Sequence, residues 1–332
     1  MTDLSKQRIV ITGGDGFLGR VLQRKLRDQG VKDESIFVPI YPEYDLTEVE
    51  SCKAMYNNAF GGEPVDLVIH LAAEVGGIGA NRENPGRYFY ANMAMALHLI
   101  EQFRAMGLGK TGKFVQIGTI CAYPNLTPVP FKEDDLWNGY PEVTNAPYGI
   151  AKKAAWQMLD AYKLQYGMKS SYVLPVNLYG PGDNFNPNSS HVIPALIRKC
   201  CEAIDKGADH IECWGTGSAS REFLYVEDAA SGIVRAAEVM DDPTPINLGA
   251  SAEITIKSLI ELIVELTGFT GEIRWDPTKP DGQPRRCLDT TRAKDLLGWE
   301  AQMDFREGLK RTIEWWRSNS DRVQTAGGIV SN

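Results

Sequence analysis

The sequence predicts an α/β chain, a doubly wound parallel sheet followed by a smaller mixed α/β lobe. Three observations carry this reading. A glycine-rich turn, Gly13-Gly14-Asp15-Gly16-Phe17-Leu18-Gly19, follows an apolar run near the start and opens a helical pattern. Strongly apolar runs alternate with helical patterns through the first half, as parallel strands covered on both faces do. After about residue 180 the proline, glycine and asparagine become denser and the apolar runs shorter.

In order, Arg8-Ile9-Val10-Ile11-Thr12 reads as the first strand and Phe17 to Gly30 as an amphipathic helix. Residues 35–40, 66–71 and 113–118 read as the next three strands, with helices around 48–58 and 87–106 between them. Pro147 opens a long helix over about 148–166, since proline suits the first helical turn, and 171–176 is a further strand. Pro181, Gly182, Asn184, Pro187 and Asn188 make a long loop before a helix starting near His191. Short strands at 211–214, 245–248 and 272–275 and helices at 226–239, 256–267 and 304–317 complete the chain. The expected division is a dinucleotide-binding domain over 1–180, to which elements from about 222–250 return, and a substrate lobe over 181–320. Residues 321–332 are expected to be a flexible tail.

The bulk numbers set limits. A chain of 332 residues with 43% hydrophobic and 23% charged residues can bury a large core. Its net charge of −8 argues against general nucleic-acid binding, which needs a clustered basic surface. The polar start from Met1 to Arg8 carries no secretory signal, and no apolar run reaches the roughly 18 residues of a membrane span, so a cytoplasmic protein is expected. Cysteines 52, 121, 200, 201, 213 and 287 show no paired zinc spacing; reduced, mostly buried thiols and no metal site are expected.

Between a strand and a helix, the glycine turn has a definite physical use in the Rossmann fold. The early glycines permit the tight turn, Gly16 lets backbone approach a pyrophosphate, and Gly19 allows close packing of the helix. The phosphates would lie on the free N–H groups of the helix start. A carboxylate near the end of the second strand would select a free ribose 2′-hydroxyl and a cation a 2′-phosphate. Pro39-Ile40-Tyr41-Pro42 offers neither, Asp15 disfavours a phosphate, and Arg20 is a counter-charge, so NAD and NADP are both open.

Tyr148 and Lys152 lie one helical turn apart on one face. A phenol titrates near about 10, and a neighbouring cation is expected to lower that value, suiting the pair to proton transfer at a sugar oxygen. Thr119, after the strand ending at Gly118, supplies a hydroxyl to orient the same oxygen.

Together with Leu71-Ala72-Ala73 and Asn92, these motifs resemble the extended short-chain dehydrogenase/reductases. More narrowly, the chain is similar to the GDP-L-fucose synthase family of GDP-4-keto-6-deoxymannose epimerase/reductases. The likeness lies in Val75-Gly76-Gly77-Ile78, Cys121-Ala122-Tyr123-Pro124, Pro175-Val176-Asn177-Leu178-Tyr179-Gly180-Pro181, Asp183-Asn184-Phe185, Ser190-His191-Val192-Ile193-Pro194, Trp214-Gly215-Thr216-Gly217, Arg221-Glu222-Phe223 and Pro280-Asp281-Gly282. It runs from about residue 7 to 317. The resemblance implies inversion at C3 and C5 beside a C4 ketone, with Cys121 and His191 as the acid/base pair, then reduction of that ketone with Tyr148, Lys152 and Thr119. It implies a dinucleotide held by Gly13, Gly16, Phe17, Leu18, Gly19, Leu71, Ala72, Ala73, Asn92, Tyr148, Lys152, Pro175, Asn177 and Leu178. NADP(H) is favoured by the resemblance, with NAD(H) left open.

The resemblance further implies a GDP-sugar held by Asn177, His191, Lys199, Trp214, Arg221 and Asp281, and a homodimer through paired helices. Arg221 suits a diphosphate, because its fork matches two phosphate oxygens. Thr119 stands where the family usually has serine, and Lys199 where it can have arginine, so a related 4-keto GDP-sugar stays open as substrate. The alternative reading is a nucleotide-sugar epimerase that recycles tightly bound NAD with no net reduction. A cofactor-binding sensor without turnover is disfavoured by the intact set of reactive side chains.

Overall fold

The computed structural model describes residues 1–76, 78–279 and 281–325. Gly77 and Pro280, each part of a motif named above, and residues 326–332 of the expected tail lie outside the described residues. The strands are β1 (Ile9–Thr12), β2 (Ile36–Phe37), β3 (Leu67–His70), β4 (Lys113–Ile117), β5 (Lys169–Pro175), β6 (Asn177–Tyr179), β7 (His210–Trp214), β8 (Ser220–Tyr225), β9 (Pro245–Leu248), β10 (Glu253–Thr255) and β11 (Glu272–Asp276). The helices are α1 (Phe17–Asp28), α2 (Val49–Asn58), α3 (Ile78–Glu83), α4 (Pro85–Ala105), α5 (Ala146–Tyr166), α6 (Val192–Lys206), α7 (Val226–Val239), α8 (Ile256–Thr267) and α9 (Phe305–Thr325).

Six strands form one parallel sheet in the order β2-β1-β3-β4-β5-β9. Strand β1 lies between β2 and β3, so the chain winds outward in opposite directions from it. Such a reversal opens a crevice beyond the carboxyl ends of the strands, where ligands bind. The fully buried Ile9, Ile11, Val68, Ile69, Phe114, Val115, Val173 and Leu174 explain why these strands read as continuous apolar runs. On one face the core takes in Leu22 and Leu26 of α1 with Ala229, Ile233 and Ala236 of α7. On the other it takes in Met55 of α2, Leu99 and Phe103 of α4 and Leu159 of α5.

A second core lies between β6, β8, α6, α8 and α9, where the Phe185 ring stacks on Trp316 at 4.6 Å. It is built on the three-stranded sheet β10-β8-β6, with β7 and β11 paired in parallel beside it. Strand β9, which lies beyond the start of this lobe in sequence, pairs with β5 and so returns to the large sheet.

The structure departs from the sequence reading at three places. The expected strand over 35–40 is ordered as strand only at Ile36–Phe37, because Pro39 has no N–H to extend the ladder. Strands β6, β8 and β10 and the short helix α3 were not expected. Residues 321–325, expected in a flexible tail, continue α9, whose Val323 is buried in the second core.

Candidate active site

The glycine turn caps the crevice between β1 and β3. Gly13 has φ +68°, and a Cβ there would lie 2.8 Å from the Ala72 backbone nitrogen. A Cβ on Gly19 would lie 2.3 Å from the Gly13 carbonyl oxygen, so the first turn of α1 packs directly on the loop. Gly16 is the N-cap of α1 and makes no side-chain cap, leaving the first N–H groups directed outward. Across the crevice the Ala72 N–H donates to Thr12 Oγ1 at 3.3 Å, fixing Leu71-Ala72-Ala73 against β1. The buried Asn92 amide donates to the Glu74 and Tyr88 carbonyls, while its Oδ1 has no hydrogen-bond partner among the described residues. These features fit a dinucleotide: a cradle that side chains would fill, a helix start for the diphosphate, and an orphaned buried acceptor facing no protein donor.

Gly19→Ala should therefore weaken cofactor binding by at least about tenfold and destabilise the fold by about 1–3 kcal/mol, the usual range for overpacking. Fluorescence titration with NADPH and thermal unfolding read the two effects; wild-type values in both would show that the contact can relax.

The residues after β2 carry no charged group until Glu43. Arg20 donates to the Asp15 carbonyl at 2.7 Å and to the Gly182 carbonyl at 3.3 Å, joining the glycine turn to the loop after β6. Arg87 at the start of α4 forms a two-pronged pair with Glu74.

The reactive side chains come from two elements. Thr119 is the N-cap of a short 3-10 turn, Ile120–Ala122, and its hydroxyl accepts the Cys121 N–H at 3.2 Å. Tyr148 and Lys152 project from the first turns of α5. The two elements meet because Gly149 has no side chain: a Cβ there would lie 2.2 Å from the Cys121 carbonyl oxygen.

The Lys152 ammonium sits 5.8 Å from the Tyr148 ring centroid. Lys152 is only 2% exposed, and burial brings it down to about 8. The phenol behaves differently from the sequence expectation. Burial pushes Tyr148 well above its usual value, the nearby Cys121 adds to this, and hydrogen bonding with Thr119 opposes it. Desolvation outweighs the cation here, so the phenol holds its proton at neutral pH.

Loop 180–191 brings in the second group. His191 is the N-cap of α6 but makes no side-chain cap, which disposes of a helix-capping role for its ring. It remains exposed at the cleft, while packed neighbours around the ring lower its pKa. A cavity is lined by His191 with Asn177, Leu178, Arg221 and Phe223. The Asn177 amide donates to the Glu222 carbonyl at 3.0 Å, so β6 is tied to β8 just where Arg221 leaves it. Arg221 donates to the carbonyls of Ser220, Gln283 and Asp281, and burial, then the charge of Arg286, brings it down to about 10.

Trp214, Lys199 and Asp281 lie around β7 and the turn that follows it. Trp214 is 58% exposed, which excludes a core role, and the Lys279 ammonium lies 5.5 Å from its ring centroid. Lys199 donates to the Glu212 carbonyl at 2.9 Å, and the Asp281 carboxylate accepts both the N–H and the hydroxyl of Thr216 at 2.7 Å. Pro175 ends β5 opposite Leu248.

Arg286 at the site, and Asp183 in the loop before α6, escaped the sequence reading. Arg286 approaches Cys121, its Nη1 lying 3.8 Å from Sγ. Asp183 was seen only as part of a motif; it is 5% exposed, its Oδ1 accepts the Asn184 N–H, and its Oδ2 has no partner among the described residues. Burial pushes this carboxyl up to about 7. A carboxyl raised above its unfolded value binds an extra proton in the folded state between about 3.9 and that higher value. Its contribution to stability is complete below that window and is lost as pH rises through about 7. Asp183→Asn should thus gain thermal stability relative to wild type as pH is raised from 5 to 8. Unfolding curves showing a pH-independent difference between the two would contradict this.

The fold and these groups define a nucleotide-cofactor enzyme of the short-chain dehydrogenase type. The chain belongs to the NAD dependent epimerase/dehydratase family, whose sequence pattern matches residues 9–249. It is 36% identical to GDP-L-fucose synthase of Escherichia coli K12, over 97% of this chain and 100% of that protein. It is 37% identical to GDP-L-fucose synthase 1 of Arabidopsis thaliana, over 96% of this chain and 95% of that one. Among solved structures it resembles the GDP-L-fucose synthetase of Naegleria fowleri bound to NADP, with TM-score 0.83 and 27% identity, over 97% of this chain and 95% of that one.

Proposed function

We propose that the chain is an NADP(H)-dependent epimerase/reductase that converts GDP-4-keto-6-deoxy-D-mannose, or a close 4-keto GDP-sugar, to the 3,5-epimerised, 4-reduced product. One observation carries the reading. Tyr148, Thr119 and Cys121 cluster beside Arg221, which lines one cavity with His191. The relatives named above, and the NADP in the Naegleria structure, support the substrate class and the cofactor.

The chemistry follows from the ketone. A C4 carbonyl acidifies the hydrogens at C3 and C5, because the electron pair left behind can move onto the carbonyl oxygen. Tyr148 and Thr119 meet that oxygen as donors, as an oxyanion hole does. Cys121 and His191 exchange protons with ring carbons; a thiol and an imidazole are side chains suited to acid–base exchange of this kind. The hydride for C4 would come from NADPH when it is bound. The glycine turn, Leu71-Ala72-Ala73, Asn92, Pro175 and Leu178 hold the dinucleotide, and Lys152 orients its nicotinamide end. Tyr148, kept protonated by burial, then gives its proton to the oxygen at C4. Asn177, Arg221, Lys199, Trp214 and Asp281 hold the GDP moiety.

No helix among the described residues is long and apolar enough to cross a membrane. The reading includes a cytoplasmic homodimer; Leu97 on α4 and Leu164 on α5, 40% and 80% exposed, are apolar groups that paired helices would cover.

The test is incubation with a panel of 4-keto nucleotide sugars and either NADPH or NADH, with products identified by NMR. Reduction of a GDP-sugar with one NADPH consumed per product is the expected outcome. Epimerised product without net consumption of cofactor would favour the NAD-recycling epimerase instead.

A further inference from the structure

Arg286 has an unusual setting for a buried guanidinium. It is 9% exposed, yet no ion pair joins it to a carboxylate among the described residues. Its side-chain contacts are a hydrogen bond from Nε to Gln283 Oε1 at 2.7 Å and the approach of Nη1 to Cys121 Sγ at 3.8 Å. Its neighbour Arg221 carries the same charge, and that like charge helps to bring Arg221 down. The charge of Arg221 is offset by Asp281 and Glu253, whereas the buried Arg286 has no carboxylate paired with it among the described residues, a setting that favours an anion beside it. Arg221 spends its fork on three backbone carbonyls, whereas Arg286 turns one N–H toward sulfur.

The approach is built into the fold. The segment leading to Leu288 runs beside β8: Ser220 N–H donates to the Pro284 carbonyl and Glu222 N–H to the Arg286 carbonyl. The fully buried Glu222 carboxylate then accepts the Leu288 N–H at 2.7 Å and the Ser251 N–H at 2.7 Å. From the other side, the Gln283 amide donates to the Asn125 carbonyl at 2.8 Å, tying the segment to the chain just after Cys121. Arg286 is thus held at backbone and side chain against the turn that carries the thiol.

We propose that Arg286 is a positioning residue for Cys121, holding the sulfur in place and balancing the negative charge it carries on one side of each proton exchange. This rests on the assignment of Cys121 as an acid/base group. When the thiolate removes a ring proton, an S–H bond forms, a C–H bond breaks, and the electron pair passes to the carbonyl oxygen. In the reverse direction the thiol gives the proton up and becomes the anion. The guanidinium keeps its proton throughout, since Arg is effectively always charged. Its fixed positive charge stands beside the sulfur on the thiolate side of either exchange.

The experiment measures alkylation of Cys121 by iodoacetamide at pH 7.5 in the full chain without substrate, followed by peptide mass spectrometry, beside the affinity for GDP. The other five cysteines are buried, so Cys121 is the accessible thiol. Only the thiolate reacts. Arg286→Met should slow alkylation about tenfold, with the rate recovering as pH is raised to about 9.5; Arg286→Lys, which keeps the charge, should stay within about threefold of wild type. Loss of mere packing would slow the reaction equally at both pH values and would overturn the proposal. So would wild-type alkylation in Arg286→Met, with or without a loss of GDP affinity; with that loss, the guanidinium would belong to the diphosphate. Because alkylation needs no turnover, this result stands apart from whether any 4-keto sugar is converted.

Discussion

Tyr148→Phe should lower the rate of ketone reduction by at least about 10²-fold, the lower part of the range for losing a general acid. The affinity for NADPH should fall far less, because the glycine turn and Lys152 still hold the dinucleotide. The substitution removes one oxygen from the end of a buried ring and leaves the Lys152 ammonium and the packing of α5 on the Cys121 turn in place. The size of the effect follows from the proton inventory. Hydride arriving at C4 leaves charge on oxygen, and the phenol is the group kept in its proton-bearing form by burial. Solvent-proton exchange at C3 and C5 should slow less, because Thr119 still donates to the same oxygen. Stopped-flow loss of NADPH absorbance measures the reduction step, and unchanged turnover would remove Tyr148 from the mechanism.

Cys121→Ala should abolish deuterium incorporation at C3 and C5 in heavy water while cofactor binding persists. The thiol is half-buried, lies beside Thr119 and Arg286, and is the only cysteine of the chain that is not buried among the described residues. Alanine removes the proton-exchanging atom and leaves the backbone turn, whose N–H is held by Thr119 Oγ1. The expected loss is about 10²- to 10⁴-fold, the span of general acid–base contributions. NMR of recovered substrate reads it directly. Exchange at the wild-type rate would return Cys121 to the role of a packing thiol.

What could be read in advance was local. The strand–glycine turn–helix unit and the Tyr148/Lys152 spacing depend on residues within a few positions of each other, and each took its expected place. The alternation of apolar runs and helices over the first half marked β1, β3, β4 and β5 of the large sheet. Strand β8 was not legible because Arg221-Glu222 breaks its apolar pattern. Its Glu222 is fully buried as a clamp on backbone N–H groups, a use of carboxylate that periodicity cannot reveal. The approach of Arg286 to Cys121 spans 165 residues and depends on the pairing of its segment with β8. The direction of the Tyr148 shift was equally hidden, since a neighbouring cation is visible in sequence and depth of burial is not.

The most direct test of the central claim, that one site both inverts and reduces a 4-keto GDP-sugar, is a single experiment in heavy water. Wild-type protein is mixed with GDP-4-keto-6-deoxy-D-mannose and NADPH, and the product is examined by NMR. The account predicts a sugar reduced at C4 that carries deuterium at both C3 and C5, with one NADPH oxidised per molecule. A reduced sugar with its original hydrogens at C3 and C5 would contradict it.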